Sequence, residues 1–234
     1  LFDFIEKLLI LFQRLRVRKI KKLLRHGVLL DIGCGKGLFL KCLLRDGFDA
    51  YGVEPSQASR HDPSPERLNI ACQHLNDLHY PDSFFDIITL WHVFEHVSKP
   101  RELLREIKRI IKSSGTLIMA MPNFESLEAK ISGKNWFHLD LPRHLYHYNH
   151  LTLGSMLKAE GFKILKIEYF SIEFGPFGLL QTIMNLLGGE FNFFAKVLKG
   201  GHVSKFQSKK KYYSLGLFLF LMPFLPLIML FSII

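Results

Sequence analysis

The sequence predicts an α/β fold, doubly wound around a mostly parallel sheet with helices on both faces. Three observations carry this. Apolar runs of strand length recur at residues 29–32, 48–53, 69–72, 87–90 and 116–121. Segments with helical spacing separate several of them, at residues 38–44 and 99–112, and alternation of this kind places strands side by side in parallel. The first run, LLDI, leads straight into Gly33, Gly35 and Gly37, a turn that lets a ligand reach the main chain before the next helix begins.

Taken in order, residues 1–25 form one helix, with Ile5, Leu8, Leu9, Phe12, Leu15, Ile20, Leu23 and Leu24 at three- and four-residue steps. Its Arg14, Arg16, Arg18, Lys19, Lys21, Lys22 and Arg25 allow two readings: contact with lipid headgroups, or a helix packed on the sheet with a solvated charged face. The second is the ordinary condition of a surface helix. Residues 29–32 are a buried strand, and the helix after the glycines stops near Gly47. The second strand, within FDAYGVEPS (residues 48–56), ends at Glu54, about 20 residues past the glycine turn, where nucleotide folds set an acid against ribose hydroxyls. Residues 57–70 read as a loop and part of a helix. The third strand falls near Asn69 to Cys72, the fourth at Ile87 to Leu90, a helix at residues 99–112 and the fifth strand at residues 116–123, stopped by Pro122. Residues 124–150 are an insertion rich in aromatics and histidine, residues 152–161 a helix, and FKILKIEYF (residues 162–170) a sixth strand by its alternation.

DIGCGKG resembles the first motif of the class I, Rossmann-like S-adenosylmethionine-dependent methyltransferases. The PDSFFD turn at residues 81–86, the strand after it, and KSSGTLIMAMPN (residues 112–123) resemble later motifs of that family, in the same order. The resemblance covers residues 29–123. It implies S-adenosylmethionine as cofactor, with Asp31 near the methionine end, Gly33, Cys34 and Gly35 giving the backbone room, Glu54 and Pro55 at the ribose, a polar side chain at Asn76 or Asp77 at the adenine, and Leu90 at the end of the fourth strand beside it. The choice between Asn76 and Asp77 stays open. The GxGxG spacing disfavours a nicotinamide oxidoreductase.

His92, Glu95 and His96 begin where the fourth strand leaves the sheet, the end at which open parallel sheets bind ligands. The order His-x-x-Glu-His also occurs in zinc peptidases, but the strand-to-turn context argues against one. Some ubiquinone-pathway O-methyltransferases have a similar Glu–His segment and use a divalent ion; the bland alternative is a helix start whose histidines pack or meet solvent. No metal ligand set is assigned. In the insertion, Trp136, His138, Asp140, Arg143, His144, His147 and His150 sit in a segment that, by the resemblance, covers the acceptor. His144 is the expected general base, since an imidazole has a suitable pKa for removing a hydroxyl proton, with His96 and His92 as further catalytic candidates.

The chain has 234 residues, 48% hydrophobic, with a formal net charge of +10, enough for one α/β domain. Cys34, Cys42 and Cys72 form no CxxC pair and read as reduced, cytoplasmic thiols. The basic balance suits nucleic acid or an anionic membrane surface. The basic residues lie beside apolar helices, not among exposed aromatics, which disfavours nucleic acid. Residues 215–234 carry no charge and follow Lys205, Lys209, Lys210, Lys211, Tyr212 and Tyr213, which reads as a membrane segment with a positive inner flank and an aromatic belt. Pro223 and Pro226 would kink it, or fold it into two short helices that dip in and return. The family's closing antiparallel strand has no candidate after Tyr169, so the chain reads as truncated at its C-terminus.

The organisation expected is therefore an amphipathic helix (1–25), a methyltransferase domain (26–172, with the insertion 124–150) and an apolar membrane-associated tail (173–234). The function expected is methyl transfer, O-methylation favoured, to a small or lipid-linked acceptor at the cytoplasmic membrane face. The alternatives are a non-catalytic cofactor-binding or scaffold protein, and a nucleic-acid methyltransferase.

Overall fold

The computed structural model describes residues 2–56, 68–169, 171, 173, 175–193, 209–221 and 223, with side chains from residue 7 onward. They form two compact units: residues 1–121 with 154–163, and residues 122–153 with 164–234.

The first unit is built on five parallel strands in the order β3-β2-β1-β4-β5. These are β1 (Val28–Ile32), β2 (Asp49–Val53), β3 (Asn69–Ala71), β4 (Phe85–Trp91) and β5 (Ile111–Ala120). The order reverses between β1 and β4, which opens a crevice at the carboxyl ends of those strands. Leu29 and Ile87 pack in one cluster with Val17 and Ile20 of α1 (Phe2–Lys21) and with Phe39, Leu40 and Leu43 of α2 (Leu38–Arg45). Successive strand residues point to opposite faces, and Leu30 and Ile88 are also fully buried. The central strands are thus covered on both sides, which is why they read as unbroken apolar runs.

The helix α3 (Pro100–Ile110) starts on a proline at its first turn, where the missing N–H costs nothing, and buries Leu104, Ile107 and Ile110. It runs without a turn into β5, which begins at Ile111, five residues before the predicted start. Ser113, Ser114 and Gly115 lie within β5 at a bulge: Phe85 pairs with Ile111 and Ile87 with Thr116, so the ladder with β4 is continuous only from Thr116, the predicted start. At the other edge of β4, Asp86 accepts a hydrogen bond from the Val28 backbone N–H at 2.9 Å and one from Lys112 Nζ at 2.7 Å, tying β1, β4 and β5 together at their amino ends. The end of α5 (His150–Ala159) belongs to this unit, where Glu160 takes Arg101 at 3.0 Å and Arg105 at 3.1 Å from α3.

The expected sixth strand does not form: residues 162–169 pair with no strand of the sheet and are mostly exposed. Alternation fits a strand only where an edge offers partners, and Leu165, Ile167 and Tyr169 remain in contact with solvent. The expected loop and helix at residues 57–70 lie largely outside the described residues.

The second unit folds the histidine-rich insertion onto α6 (Gly175–Leu186). Ser126 caps α4 (Leu127–Ser132) by accepting from Ala129 N at 3.1 Å. Thr182 of α6 donates to Glu128 at 2.6 Å and accepts the Phe137 backbone N–H at 2.9 Å. Asn185 donates to the Asn135 carbonyl and to Asn192, both at 3.0 Å. Leu180 and Met184 of α6 pack with Phe193 and with Leu217, Phe218 and Leu221 of α7 (Lys209–Leu221).

The membrane anchor expected from the tail is not supported. Among the described residues no helix is long and apolar enough to cross a membrane. The helix that does form, α7, has 13 residues and opens with Lys209, Lys210 and Lys211. At ~1.5 Å per residue it reaches about 20 Å, short of the ~30 Å of a hydrocarbon core. Residues 222 and 224–234 of the uncharged run lie outside the described residues.

The Asp86 clamp gives a measurable quantity. Burial pushes its carboxyl up, but the bonds from Lys112 and Val28 outweigh that and hold it below its ordinary 3.8. Asp86→Ala should cost about 1–3 kcal/mol in urea unfolding at pH 7, the penalty for orphaning bonded partners. Because the folded pKa is depressed, the parent's advantage should shrink as pH falls below 3.8.

Candidate functional site

The glycine turn closes on the ends of β1 and β2. Gly33 N–H donates to the Val53 carbonyl at 2.7 Å, and Cys34 N–H to the same oxygen at 3.3 Å. Gly33 and Gly35 sit at φ +77° and +54°, in the left-handed region that side chains resist. Their surroundings differ. A Cβ on Gly33 would strike Val93, whereas one on Gly35 would meet nothing within 4 Å. Gly33 is therefore a packing glycine. Gly35 borders open space, the cradle a ligand would fill. Gly52, in the middle of β2, is a third close approach: a Cβ there would lie 2.6 Å from Cys34 Sγ and 2.6 Å from Leu40.

Glu54 follows β2 beside this cradle. One of its carboxylate oxygens accepts the Gly35 N–H at 3.1 Å and the other the Ser56 N–H at 3.0 Å. A carboxylate has about four acceptor sites, so two oxygens held in place still have capacity for two ligand hydroxyls. Pro55 follows, exposed.

Asp31 lies under the turn, 3% exposed. It stands opposite Thr89 in the β1–β4 register and accepts its hydroxyl proton at 2.6 Å. Burial pushes its carboxyl up to about 7, against the opposing pull of Thr89 and of the Arg16 charge. Arg16 belongs to α1, with its guanidinium 4.4 Å from the centre of the Trp91 ring at the end of β4. Sequence reasoning counted Arg16 as one of seven cations on the first helix. The signal that separates it is azimuth: Gln13, Arg16, Val17 and Ile20 share the inward face of α1, and three of them are buried. Burial also pushes the Cys34 thiol up to about 12, helped by Asp31 and Glu54. It stays protonated and is no nucleophile.

Leu90 is fully buried near the end of β4, so its side chain is core. Asn76 and Asp77 lie on a 3₁₀ turn (Leu75–Asp77), both exposed, and Leu75 anchors it. Beyond β4, His92 has φ +55° and its N–H donates to the Ala120 carbonyl at 2.8 Å. Its Nδ1 is 3.5 Å from Glu95 Oε1. Glu95 is 2% exposed, with no hydrogen-bond donor on either carboxylate oxygen among the described residues. Glu95 and His96 offer ligand atoms within 4.8 Å of each other, two of the donors a divalent cation needs.

His144 lies in the second unit, 8% exposed. Its Nδ1 is 2.6 Å from the His138 carbonyl oxygen. A carbonyl only accepts, so Nδ1 carries the proton and the lone pair sits on Nε2. His147 is fixed the opposite way, Nε2 donating to the Leu139 carbonyl at 3.1 Å. The ring of Trp136 lies 5.6 Å from that of His138 and 6.5 Å from that of His147. The two tautomers are set by one 3₁₀ turn, Phe137–Leu139.

Residues 4–167 match the family model described as "Methyltransferase domain". A ubiquinone biosynthesis O-methyltransferase of Coxiella burnetii (strain RSA 331 / Henzerling II) is 29% identical over 150 residues, 59% of this chain and 64% of that protein. One of Bradyrhizobium diazoefficiens is 30% identical over 128 residues, 51% of this chain and 50% of the relative. The chain thus spans half to just under two thirds of the length of these curated relatives. Among solved structures, a SAM dependent methyltransferase from Archaeoglobus fulgidus aligns with TM-score 0.58 and 27% identity, over 68% of this chain and 73% of its own. The [4+2]-cyclase SpnF aligns with TM-score 0.58 and 23% identity, over 92% and 76%, a likeness of fold.

The buried acid predicts a pH signature in stability. The unfolded carboxyl of Asp31 ionises near 3.8 and the folded one near 7. The folded state therefore holds the extra proton between these values, and stability falls as pH rises through that window. Asp31→Asn should match the parent at pH 4 and exceed it at pH 8 by up to about 4 kcal/mol, read by chemical denaturation. Equal stabilities at pH 8 would show that the carboxyl is not desolvated.

Proposed function

This chain belongs to the methyltransferase-domain family, and we propose that it transfers a methyl group from S-adenosylmethionine to a hydroxyl oxygen of a small-molecule acceptor. The observation that carries the reading is the cradle at Gly35: open space over a positive-φ glycine, flanked by a carboxylate that two backbone N–H groups already hold in place. The residues fit the cofactor. Glu54 has acceptor capacity for a ribose diol, and Asp31 and Arg16 present one carboxyl and one guanidinium, the complements of an amino acid's ammonium and carboxylate. The A. fulgidus protein, similar in fold and 27% identical, is named for dependence on the same cofactor. Relatives named O-methyltransferases support oxygen as the acceptor atom. The preference for a lipid-linked acceptor rested on the membrane tail and is dropped with it.

When bound, the cofactor supplies an electrophilic methyl on a sulfonium. The chain supplies the rest. Glu54, the glycine backbone and Arg16 orient the donor, which converts part of the barrier into binding. Asp31, raised towards neutrality by burial, becomes an anion most readily when a cation is placed against it. His144 takes the acceptor proton at Nε2, since its Nδ1 is committed to the His138 carbonyl. His92, with its Nδ1 3.5 Å from Glu95 Oε1, and His96 are the further proton-transfer candidates in the first unit.

Two measurements test this. Calorimetric titration of S-adenosylmethionine should show one site. Glu54→Gln should weaken it roughly 10–100-fold, the loss of one or two charge-assisted bonds, and Gly35→Ala should weaken it by a similar factor because its Cβ enters the open cradle at a positive φ, while the fold survives. With labelled cofactor and a panel of small hydroxylated aromatic compounds, His144→Ala should lower kcat about 10²–10⁴-fold at unchanged cofactor affinity. Cofactor binding without label transfer would sink methyl transfer but not the cradle; the cyclase with the same fold makes that distinction necessary.

A further inference from the structure

We propose that the groove between α1 and α2 is a second ligand site, separate from the glycine cradle, that binds a small polyphosphate anion. A cavity of about 530 Å³ lies there, lined by Arg14, Val17, Arg18, Lys21, Cys42, Arg45 and Asp46. Four of these seven residues are cationic and one is acidic. Arg14 and Arg18 are one helical turn apart, and Arg18 and Lys21 three residues apart, so all three share a face of α1. Arg45 approaches from the last turn of α2. Val17 is 1% exposed and Cys42 6%, and both belong to the cluster that docks α1 on α2. The floor is therefore rigid and apolar, and the walls are charged.

The charge arrangement is unfavourable without a partner. Like charges at i, i+4 and i, i+3 repel along a helix. Lys21 has its anion, Asp46 at 2.7 Å. Arg14 and Arg18 contact no carboxylate among the described residues. Arg16, by contrast, points inward to Trp91, so the groove draws on a different stripe of the same helix. The guanidinium forks of Arg14 and Arg18 beside a concavity match an anion with several oxygens on adjacent centres, since each fork binds two oxygens of a phosphate at once. A flat acidic partner surface would not use the concavity. The inference does not rest on the methyltransferase reading, because no residue of the groove touches the cradle at Gly35.

The test uses the full chain and inorganic triphosphate. Calorimetry at low salt should show one site. Arg14→Gln with Arg18→Gln should weaken it at least tenfold without lowering the thermal midpoint, as both side chains are exposed. Lys209→Gln, Lys210→Gln and Lys211→Gln together remove more charge from another surface and should leave the affinity unchanged. No binding of triphosphate overturns the proposal, and so does a loss that follows net charge and not position. A DNA duplex bound more tightly than triphosphate and weakened by the same two arginine substitutions would overturn the small-ligand assignment. S-adenosylmethionine titration of the same variants should be unaffected, which keeps this result distinct from that of the cradle.

Discussion

Thr89 and Asp31 face each other across β4 and β1 and share a proton donor at 2.6 Å where water does not reach. The rest of the site depends on that contact. It joins the two strands at the point where the sheet reverses its order, and it holds a carboxyl directly beneath the glycine turn. An isolated buried carboxylate is costly. Here one hydroxyl, one nearby guanidinium and a raised pKa divide the cost among strand, helix and proton. Each element that approaches the cradle does so in answer to that buried group or to the backbone above it: Arg16 from α1, Val53 from β2 and Val93 from beyond β4.

The glycine turn was legible in the sequence because its requirements are local. A run of positive φ values favours glycine by backbone sterics alone, and a strand covered on both faces leaves an unbroken apolar run. Glu54 was legible for a related reason, a fixed chain distance from turn to second strand. Residues 162–169 misled because their alternation is also local, while a strand needs an edge with free donors and acceptors, and none of the five strands takes this one. The start of β5 shows how far turn character reaches: Ser113, Ser114 and Gly115 fall at the bulge between the Phe85–Ile111 and Ile87–Thr116 pairs, so the regular ladder with β4 begins only at Thr116.

Arg16 and the tautomers of the insertion histidines were illegible for a different reason. Seven cations between residues 14 and 25 carry no direction until the helix is docked, and docking by Val17 and Ile20 then sends Arg16 inward and Arg14 and Arg18 outward. Likewise, a run with many histidines says that imidazoles are present, not which nitrogen keeps its lone pair. That is decided by the carbonyls of one short turn. The apolar tail shows the limit of composition: an uncharged run resembles a membrane span by length, yet α7 begins among lysines and packs Leu217, Phe218 and Leu221 on α6.

Gly52 has a consequence for anyone altering this protein. It lies in a strand, but the atoms that fill its missing side chain are Cys34 Sγ and Leu40 Cδ1, one in the glycine turn and one at the start of the following helix. Mutational tolerance will thus not follow secondary structure. A library that varies the turn must treat positions 34, 40 and 52 as a single set, because enlarging any one of them shifts the space that the other two occupy.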